Sequence, residues 1–190
     1  GAGDDKLLME YAHKKGFYFD VVGAITLDDE KIGSNRIRKL IMDGDVKKAN
    51  ELLGRPHMIE GTVIHGVNRG KSMGFPTINF ETVFELIPGN GVYITEVEFD
   101  GRKWPSVTNI GYNPTFDGKK LMVETHILDF DRDLYDREIV ISFHERVRAE
   151  QKFKDMSELM AQIARDVETA RTYFKGRLTA NGKDPSAKTF

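Results

Sequence analysis

The sequence predicts a mainly β protein, a sandwich or barrel, that ends in an α-helix and follows a short α/β segment. Three observations support this fold class. Beyond residue 56, hydrophobic residues alternate with polar ones in short segments rich in Val, Ile, Thr and aromatic residues. Turn-forming pairs such as Pro-Gly and Asp-Gly separate these segments at the spacing typical of sandwiches and barrels. Near the C-terminus the apolar spacing becomes helical.

The segment up to Pro56 has mixed α/β patterning. Residues 4–15 are predicted to form a helix and residues 18–25 a strand. Two short helices with their own start and stop residues follow. Their caps and terminators are Ser34 with Gly44 and Asp45 with Gly54. A segment of about 50 residues makes a poor independent domain, so we expect residues 1–56 to be the end of a larger module.

Five later segments alternate like strands. They comprise residues 59–66, 91–99, 103–110, 121–128 and 138–147. A helix follows, and Asp155 with Glu158 forms its capping pair. Gly176 is predicted to end this helix, and the polar tail after it is predicted to be disordered. The expected domains are residues 1–56, 57–176 and 177–190.

Composition limits the partners of the protein. The 190 residues include 39% hydrophobic residues, enough for a core, and carry a formal net charge of −2. That charge gives no field for nucleic acid, and there is no apolar run of about 18 residues to cross a bilayer. The absence of cysteine excludes disulfides, thiol catalysis and Cys-ligated metals. We therefore expect small-molecule partners, with no nucleic acid and no membrane. Since no signal-peptide pattern opens the chain, we expect a cytoplasmic location; the oligomeric state is left open.

Residues 61–79 set a predicted strand against a Gly-rich basic loop. The glycines that let backbone N–H groups approach an anion are Gly66, Gly70 and Gly74. Arg69 and Lys71 add positive charge, and Thr77 and Asn79 put two oxygen ligands on one side of an extended segment. The pattern indicates a site for nucleotide phosphates and a hard cation such as Mg²⁺.

A Walker A loop is the main alternative for this segment. Residues 66–72 contain Gly-Lys-Ser in the right order, but the spacer between the glycines is one residue short. Gly74 and Pro76 would also break the helix that must hold the phosphates. A plain turn with a solvated Arg and Lys is the other alternative, and it gives no reason for Pro-Thr-x-Asn to follow.

Glu124 and His126 are predicted to share one strand face with the apolar Met122 and Leu128. A carboxylate in that position either pairs with a cation or works as a base at a partly buried site, and the pattern alone leaves both open. For His126, a hydrogen-bonded structural role is favoured over a functional one. The five histidines of the chain show no zinc-type spacing.

Two further segments are candidates for ligand contact. Residues 109–116 are predicted to form a Gly/Pro break at a strand end, where a loop can reach a ligand, although an ordinary turn is the favoured explanation. Residues 147–153 supply a cation, Arg148, and an aromatic ring, Phe153, that can face a planar ligand. The alternative is that Arg148 pairs with Glu150 or another carboxylate.

Taken together, these segments resemble the riboflavin kinase family, and specifically the kinase module of the bacterial bifunctional riboflavin kinase/FMN adenylyltransferases. The resemblance runs from about Arg55 to Phe174 and depends on six motifs in order. They are G-x-V-x-H-G, R-G-K-x-x-G-F-P-T-x-N, P-x-x-G-V-Y, N-I-G-x-x-P-T-F, E-T-H-I-L-D-F-D-x-x-L-Y and R-x-E-x-K-F. The family fold implied is a six-stranded antiparallel Greek-key barrel with a C-terminal helix, one strand more than the pattern shows.

The resemblance also implies residue roles. Glu124 is the implied catalytic base, and Thr77 and Asn79 are the implied ligands of Mg²⁺ and phosphate oxygens. The candidate nucleotide-binding residues are Gly66, Arg69, Lys71, Gly74, Phe75, Pro76, Thr77 and Asn79. The candidate flavin-binding residues are Asn109, Arg148, Glu150 and Phe153. The implied reaction transfers the ATP γ-phosphoryl group to the ribityl 5′-hydroxyl of riboflavin, which gives FMN and ADP.

Residues 3–56 resemble the last part of the adenylyltransferase module of those bifunctional proteins. Residues 33–38, Gly-Ser-Asn-Arg-Ile-Arg, depart at two positions from the usual Ser-Ser-Thr-x-Ile-Arg. The half of that module with the His-x-Gly-His signature is absent, so FAD synthesis is not expected of these residues. The alternatives are a fragment of an enzyme that also makes FAD when intact, a non-catalytic flavin-binding barrel and an oligonucleotide-binding barrel. The last would need basic and aromatic residues interleaved along exposed strands, which the sequence lacks.

Overall fold

A computed structural model describes residues 4–21, 23, 25–27, 30–65, 74–115 and 118–181. The chain forms two compact units, residues 1–33 and residues 34–190. The predicted site residues Gly66, Arg69 and Lys71 lie outside the described residues, as does the tail from residue 182 onward.

The described residues of the first unit form one helix and one pair of short strands. Helix α1 (Asp5–Lys15) begins after Asp4, whose carboxylate accepts a hydrogen bond from the Leu7 amide, so the helix predicted there is confirmed. Strands β1 (Thr26–Leu27) and β2 (Glu30–Lys31) pair antiparallel. The strand predicted over residues 18–25 is wrong, because no described residue of that range is in a strand. None of the described residues in that range is buried, and Tyr18 is 89% exposed.

The second unit begins with the two short helices that the sequence predicts, α2 (Ser34–Asp43) and α3 (Val46–Leu53). Asp45 caps α3 by accepting from the Lys48 amide, and Gly54 ends it with a φ of 68°. Val46 and Ala49 are fully buried, so α3 packs closely against strands of the barrel. The domain boundary predicted near residue 56, between the end of a larger module and the barrel domain, stays a prediction.

Six antiparallel strands close into a barrel. They are β3 (His57–Ile64), β4 (Ile78–Glu81), β5 (Gly91–Phe99), β6 (Arg102–Thr115), β7 (Gly118–Ile127) and β8 (Glu138–Arg148). Their order around the barrel is β3-β4-β7-β6-β5-β8. Strands β5 to β7 are consecutive neighbours and β8 returns beside β5, which is a Greek key. The barrel predicted by the family resemblance is therefore confirmed.

Strand β4 is the strand that periodicity missed. It has only four residues, too few for alternation to stand out from the loop before it. Its pairing with β3 and β7 closes the barrel. The other five strands lie where the sequence predicts them, and most differ by only a few residues at their ends. Strand β6 is the exception, because it continues to Thr115 and does not end at residue 110. The break predicted over residues 109–116 is therefore wrong for its described part, where pairing with β7 keeps the chain extended.

The barrel has a core inside and a second apolar layer outside. The interior is filled by fully buried side chains, among them Ile59, Val63, Val97, Ile141 and Phe143. The outer layer lies under the C-terminal helix α4 (Met156–Asn181), where Val167 and Ala170 pack against outward-facing residues of the barrel. Helix α4 thus covers part of one wall of the barrel, beside the predicted site residues on the same wall.

Helix α4 starts as predicted and ends later than predicted. The Asp155 carboxylate accepts from the Glu158 amide at 2.9 Å, and the Glu158 carboxylate accepts from the Lys154 amide at 2.9 Å. Gly176 does not end the helix, and residues 177–181 are helical rather than disordered. A glycine inside a helix costs only about 1 kcal/mol, which packing of the helix on the barrel can outweigh.

Hydrogen bonds anchor the last turns of α4 to β8. The buried His144 donates from Nε2 to Glu96 Oε2 at 2.6 Å and accepts from Arg177 at Nδ1 at 3.1 Å. Arg177 also donates to the Tyr173 hydroxyl at 2.9 Å. The hydrogen bond from His144 lowers the pKa of Glu96. These contacts give the residues after Gly176 a reason to stay helical.

Candidate functional site

Three predicted site residues lie side by side on the outer wall of the barrel. In the register of the sheet, Asn79 on β4 and Asn109 on β6 are both direct partners of Glu124 on β7. Residues directly opposite each other in antiparallel strands share a face, with Cβ atoms about 5 Å apart. Asn79 is buried, and Glu124 and Asn109 are half-buried. We call Asn79, Glu124 and Asn109 the polar row.

The alternation predicted for β7 places Glu124 in this row. Val123, Thr125 and Ile127 are buried on the inner face of the strand, so Glu124 and His126 lie on the outer face. Thr125 continues a chain of buried hydroxyl groups through Thr108, at 2.9 Å, inside the barrel. The carboxylate of Glu124 is therefore separated from this interior network by the sheet itself.

His126 fixes the segment that leads into β4. Its Nδ1 lies 2.8 Å from the carbonyl oxygen of Pro76, which can only accept, so Nδ1 carries the proton. Phe75 meets the imidazole ring edge-on at 5.8 Å and packs into the apolar layer under α4. Gly74 turns the chain just before it with a φ of 80°. The hydrogen bond predicted for His126 is present, and it holds the residues next to Thr77.

A cavity of about 350 Å³ opens beside Thr77. One side is formed by residues 76–78 together with Thr125 and Ile127 from the inner face of β7, and the other by the connection between β7 and β8, from Phe130 to Tyr135. The Arg132 guanidinium lies over the Phe130 ring at 5.1 Å, and the Tyr135 ring stacks on His65 at 3.8 Å. Sequence reasoning found this connection only as part of a family motif. The sequence signal that could have identified this connection was the occurrence of aromatic residues next to charged ones between two predicted strands.

Arg148, at the end of β8, is held by helix α4. Its guanidinium donates to Asp166 through Nη2 at 2.8 Å and through Nε at 3.0 Å. Asp166 is 2% exposed and also accepts from Gln162 at 2.8 Å. The Phe153 ring lies 5.7 Å from the guanidinium carbon. Of the two sequence interpretations, pairing with a carboxylate is present, and the partner is Asp166 rather than Glu150.

Glu150 lies over the backbone of β6 instead. A Cβ atom placed on Gly111 would collide with Glu150 Oε1 and lie 3.9 Å from Asn109 Nδ2. Glu150 Oε2 accepts from the side-chain amide of Asn90 at 3.1 Å. Glu150 is thus brought to the Asn109 end of the polar row, and its contact with Asn90 was not predicted from the sequence.

Oxygen ligands for a cation are available in this region. Within the ranges that the structure describes, no three or more His, Asp or Glu residues are grouped to hold a metal ion. A cation at Thr77 and Asn79 would therefore need further oxygen atoms from a bound phosphate, which is the usual arrangement for Mg²⁺. The hydroxyl and amide oxygens present fit that ion.

The fold and this site define a class of protein: a closed Greek-key barrel with a polar site on its outer wall, bordered by a C-terminal helix. A family model described as riboflavin kinase, or flavokinase, matches residues 53–174. This match covers most of the barrel unit, so the chain belongs to the riboflavin kinase family, as the sequence motifs predicted.

Several known proteins are similar to this chain. The bifunctional riboflavin kinase/FMN adenylyltransferase of Pseudomonas fluorescens is 38% identical over 170 residues, which cover 89% of this chain and 55% of the relative. The protein of that name from Bacillus subtilis (strain 168) is 40% identical over 158 residues, 81% of this chain and 50% of the relative. The chain thus spans about half the length of the curated relatives it matches.

A solved structure gives a similar result for the fold. The crystal structure of a macrolide-efflux protein from Streptococcus pneumoniae matches with a TM-score of 0.80 and 34% identity, over 87% of this chain and 54% of that chain. Its name describes that protein and is not carried over. In the described part of the present chain, no helix has the length and apolar character needed to cross a bilayer.

Proposed function

We propose that this chain is a riboflavin kinase that transfers the γ-phosphoryl group of ATP to the ribityl 5′-hydroxyl of riboflavin, giving FMN and ADP. The observation that carries the proposal is the order of the predicted site residues across the outer wall. Asn79, Glu124 and Asn109 follow one another on β4, β7 and β6, and Arg148 is in register with Val92 on the next strand. The predicted nucleotide, base and flavin residues therefore occur in the order that the reaction requires.

The nucleotide is proposed to lie at the β4 end of the row. Thr77 lines the 350 Å³ cavity, and the cavity has aromatic walls that suit a planar base. Arg69 and Lys71, outside the described residues, are proposed to supply positive charge to the phosphates. Mg²⁺ held by Thr77, Asn79 and phosphate oxygens would supply charge neutralisation for the transferred group.

Glu124 is proposed to act on the acceptor hydroxyl. Phosphoryl transfer passes through a loose transition state, so positioning and electrostatic stabilisation supply most of the rate. A carboxylate is too weak a base to ionise an alcohol in advance. Glu124 would instead orient the hydroxyl and accept its proton as the new P–O bond forms, an effect of about 100-fold to 10,000-fold.

The flavin is proposed to bind beyond Asn109, between β6 and the start of α4. Arg148 and Phe153 form a cation and ring pair there, and Glu150 lies beside Asn109. A planar ring system can stack in such a place while its ribityl chain runs toward Glu124. This placement puts the acceptor on the opposite side of Glu124 from the phosphate donor.

The decisive experiment is incubation of the purified chain with riboflavin and MgATP, followed by chromatographic separation of riboflavin, FMN and FAD. We expect FMN and ADP, and no FAD. Glu124→Gln keeps the shape of the side chain but not the basic oxygen, so FMN formation should fall about 100-fold while riboflavin still binds. Near-parental turnover by a folded variant would rule out Glu124 as the base.

A flavin-binding barrel without catalysis is the second candidate, and the buried Arg148 pair beside Phe153 would serve it equally well. It predicts riboflavin binding that does not respond to MgADP and no FMN in the assay. The names of the bifunctional relatives suggest that a longer chain would also form FAD, and this is a separate proposal. A cytoplasmic location, the absence of nucleic-acid partners and the oligomeric state likewise stay predictions or open questions.

A further inference from the structure

The segment before β5 links helix α2 to the flavin end of the proposed site. Asn90, in this segment, makes two hydrogen bonds. Its backbone carbonyl accepts from Arg146 Nη2, and its side-chain amide donates to Glu150 Oε2 at 3.1 Å. Asn90 is half-buried and belongs to none of the residue sets that the sequence assigned to a ligand.

The backbone of this segment is fixed by contacts on several sides. The Gly89 amide donates to the carbonyl of Ile41, near the end of α2, at 3.0 Å. The Gly89 carbonyl accepts from the Tyr93 hydroxyl, and burial raises the pKa of Tyr93 to about 12, so this donor keeps its proton at neutral pH. A Cβ atom on Gly89 would collide with the carbonyl of Met42. Only glycine allows this close approach to α2.

Arg146 completes the support. Its guanidinium donates to the carbonyls of Asn90 and, at 3.3 Å, of Asp43 at the end of α2. It also lies over the Tyr93 ring at 6.0 Å. Because a helix C-terminus carries partial negative charge, the cation is well placed there. The end of α2, the segment before β5 and β8 are thereby joined around one guanidinium.

Glu150 has no comparable support of its own. It lies between the end of β8 and the start of α4, in a stretch without regular secondary structure, and its side chain is exposed. Its carboxylate nevertheless lies over Gly111, 3.1 Å from the Asn90 amide. The donor that fixes this carboxylate at the Asn109 end of the polar row is therefore on a segment that α2 and Arg146 hold in place.

We propose that Asn90 is a positioning residue for the flavin site. It holds Glu150 over Gly111, and it links the loop that follows β8 to a backbone segment that is fixed against α2. The proposal depends on the proposed riboflavin kinase function, because it assigns Asn90 to the flavin rather than the nucleotide. It also gives α2 a role in the same unit as the barrel, as a support for the substrate site.

Asn90→Asp is the test variant, because it keeps the size of the side chain and the backbone contacts but replaces the donating amide by a second carboxylate. We expect the riboflavin KM to rise about 10-fold, which corresponds to about 1.4 kcal/mol, while the MgATP KM stays within about twofold. The control is Asn35→Asp, which makes the same charge change at an exposed position of α2, where the side chain accepts from Arg38.

A second substitution tests the hydrogen bond directly. In Asn90→Asp combined with Glu150→Gln, the donor and the acceptor exchange places. We expect the double variant to bind riboflavin more tightly than Asn90→Asp alone, because the hydrogen bond can form again. Thermal unfolding is measured on every variant, since a purely structural role of Asn90 would lower the Tm and affect both substrates alike.

The results separate this inference from the proposed function. Riboflavin affinity is also measured by quenching of flavin fluorescence, which needs no turnover. If the parent chain binds riboflavin but makes no FMN, the kinase proposal fails while the binding data still test Asn90. Unchanged riboflavin affinity in Asn90→Asp, equal losses for both substrates, additive effects in the double variant or a parent chain that does not bind riboflavin would each overturn the inference.

Discussion

Replacing Asp166 by Asn tests how α4 controls the flavin side of the site. Asp166 is 2% exposed and receives hydrogen bonds from both Nε and Nη2 of Arg148. The substitution keeps the shape of the side chain and removes its charge, so the Arg148 cation loses its partner. Breaking a buried ion pair in this way costs about 3–5 kcal/mol.

The exposure of the two partners sets the expected size within that range. The Arg148 side chain keeps 18% of its surface exposed, so water compensates part of the loss, and we expect about 3 kcal/mol. For a unit of this size, each kcal/mol shifts the Tm by about 2–4 °C, which gives a decrease of about 6–12 °C. Because Arg148 also loses its fixed orientation, the riboflavin KM should rise while the MgATP KM changes little.

The ion pair between Asp129 and Arg171 provides a matched control. It joins α4 to the barrel as well, but the two side chains are 72% and 34% exposed. Exposed pairs contribute little, so Asp129→Asn should change the Tm by much less than Asp166→Asn. Urea unfolding and thermal unfolding of both variants give the comparison. Equal, small effects would show that the Arg148 pair neither stabilises α4 nor fixes the flavin side.

Two further predictions address the nucleotide side of the site, and a third addresses a buried histidine at the start of β3. Thr77→Val keeps the shape but removes the hydroxyl, so MgATP affinity should fall about 10-fold with little change in Tm, and unchanged affinity would move the proposed cation site elsewhere. His126→Leu removes the donor to the Pro76 carbonyl and should raise the MgATP KM, whereas His126→Asn, which retains an N–H group, should raise it less; equal effects would exclude this hydrogen bond as the cause. Burial lowers the pKa of His57 below its ordinary value of 6.5, so the unfolded chain takes up the proton first as the pH falls. The free energy of unfolding, measured by urea titration at a series of pH values, should therefore decrease below about pH 6.5, and less steeply in His57→Gln. An equal pH dependence of this free energy in parent and variant would contradict the lowered pKa of His57.

Local signals in the sequence predicted most of the fold. Asp45 and Gly54 delimit α3 as expected, because capping depends on residues a few positions apart. The strand Gly91–Phe99 lies where alternation and the flanking turn residues placed it. The errors have physical reasons. Residues 18–25 alternate in the sequence, but none of the described residues there is buried, so the alternation has no packing to support it. Gly176 is overridden by contacts of the helix that continues past it.

The sequence proposed the residues of the candidate site, but their arrangement could not be predicted from it. Periodicity placed Glu124 on the outer face of its strand, but its alignment with Asn79 and Asn109 depends on strand register, which no single segment specifies. The pairing of Arg148 with Asp166 depends on how α4 packs on the barrel. Contacts of this kind join separate elements, so they follow from tertiary packing and not from local sequence.

The proposed site consists of a rigid centre with two adjustable ends. The polar row lies on paired strands, where hydrogen-bonded neighbours fix each residue, and its length from Asn79 to Asn109 is about 10 Å across three strands. The ends are irregular segments held by side-chain contacts. His126 is proposed to support the nucleotide side, and Asn90 is proposed to support the flavin side together with the Asp166 carboxylate that pairs with Arg148.

This division predicts how variants should separate in kinetics. Substitutions at the supports should each raise the KM of one substrate, because they loosen one end without moving the other. Glu124→Gln should mainly lower kcat, because the row itself stays in place while the proton acceptor is lost. A support variant that lowered kcat and raised both KM values equally would show that the ends and the row move together. The wall would then act as one flexible surface, and strand register would not explain the order of the reacting groups.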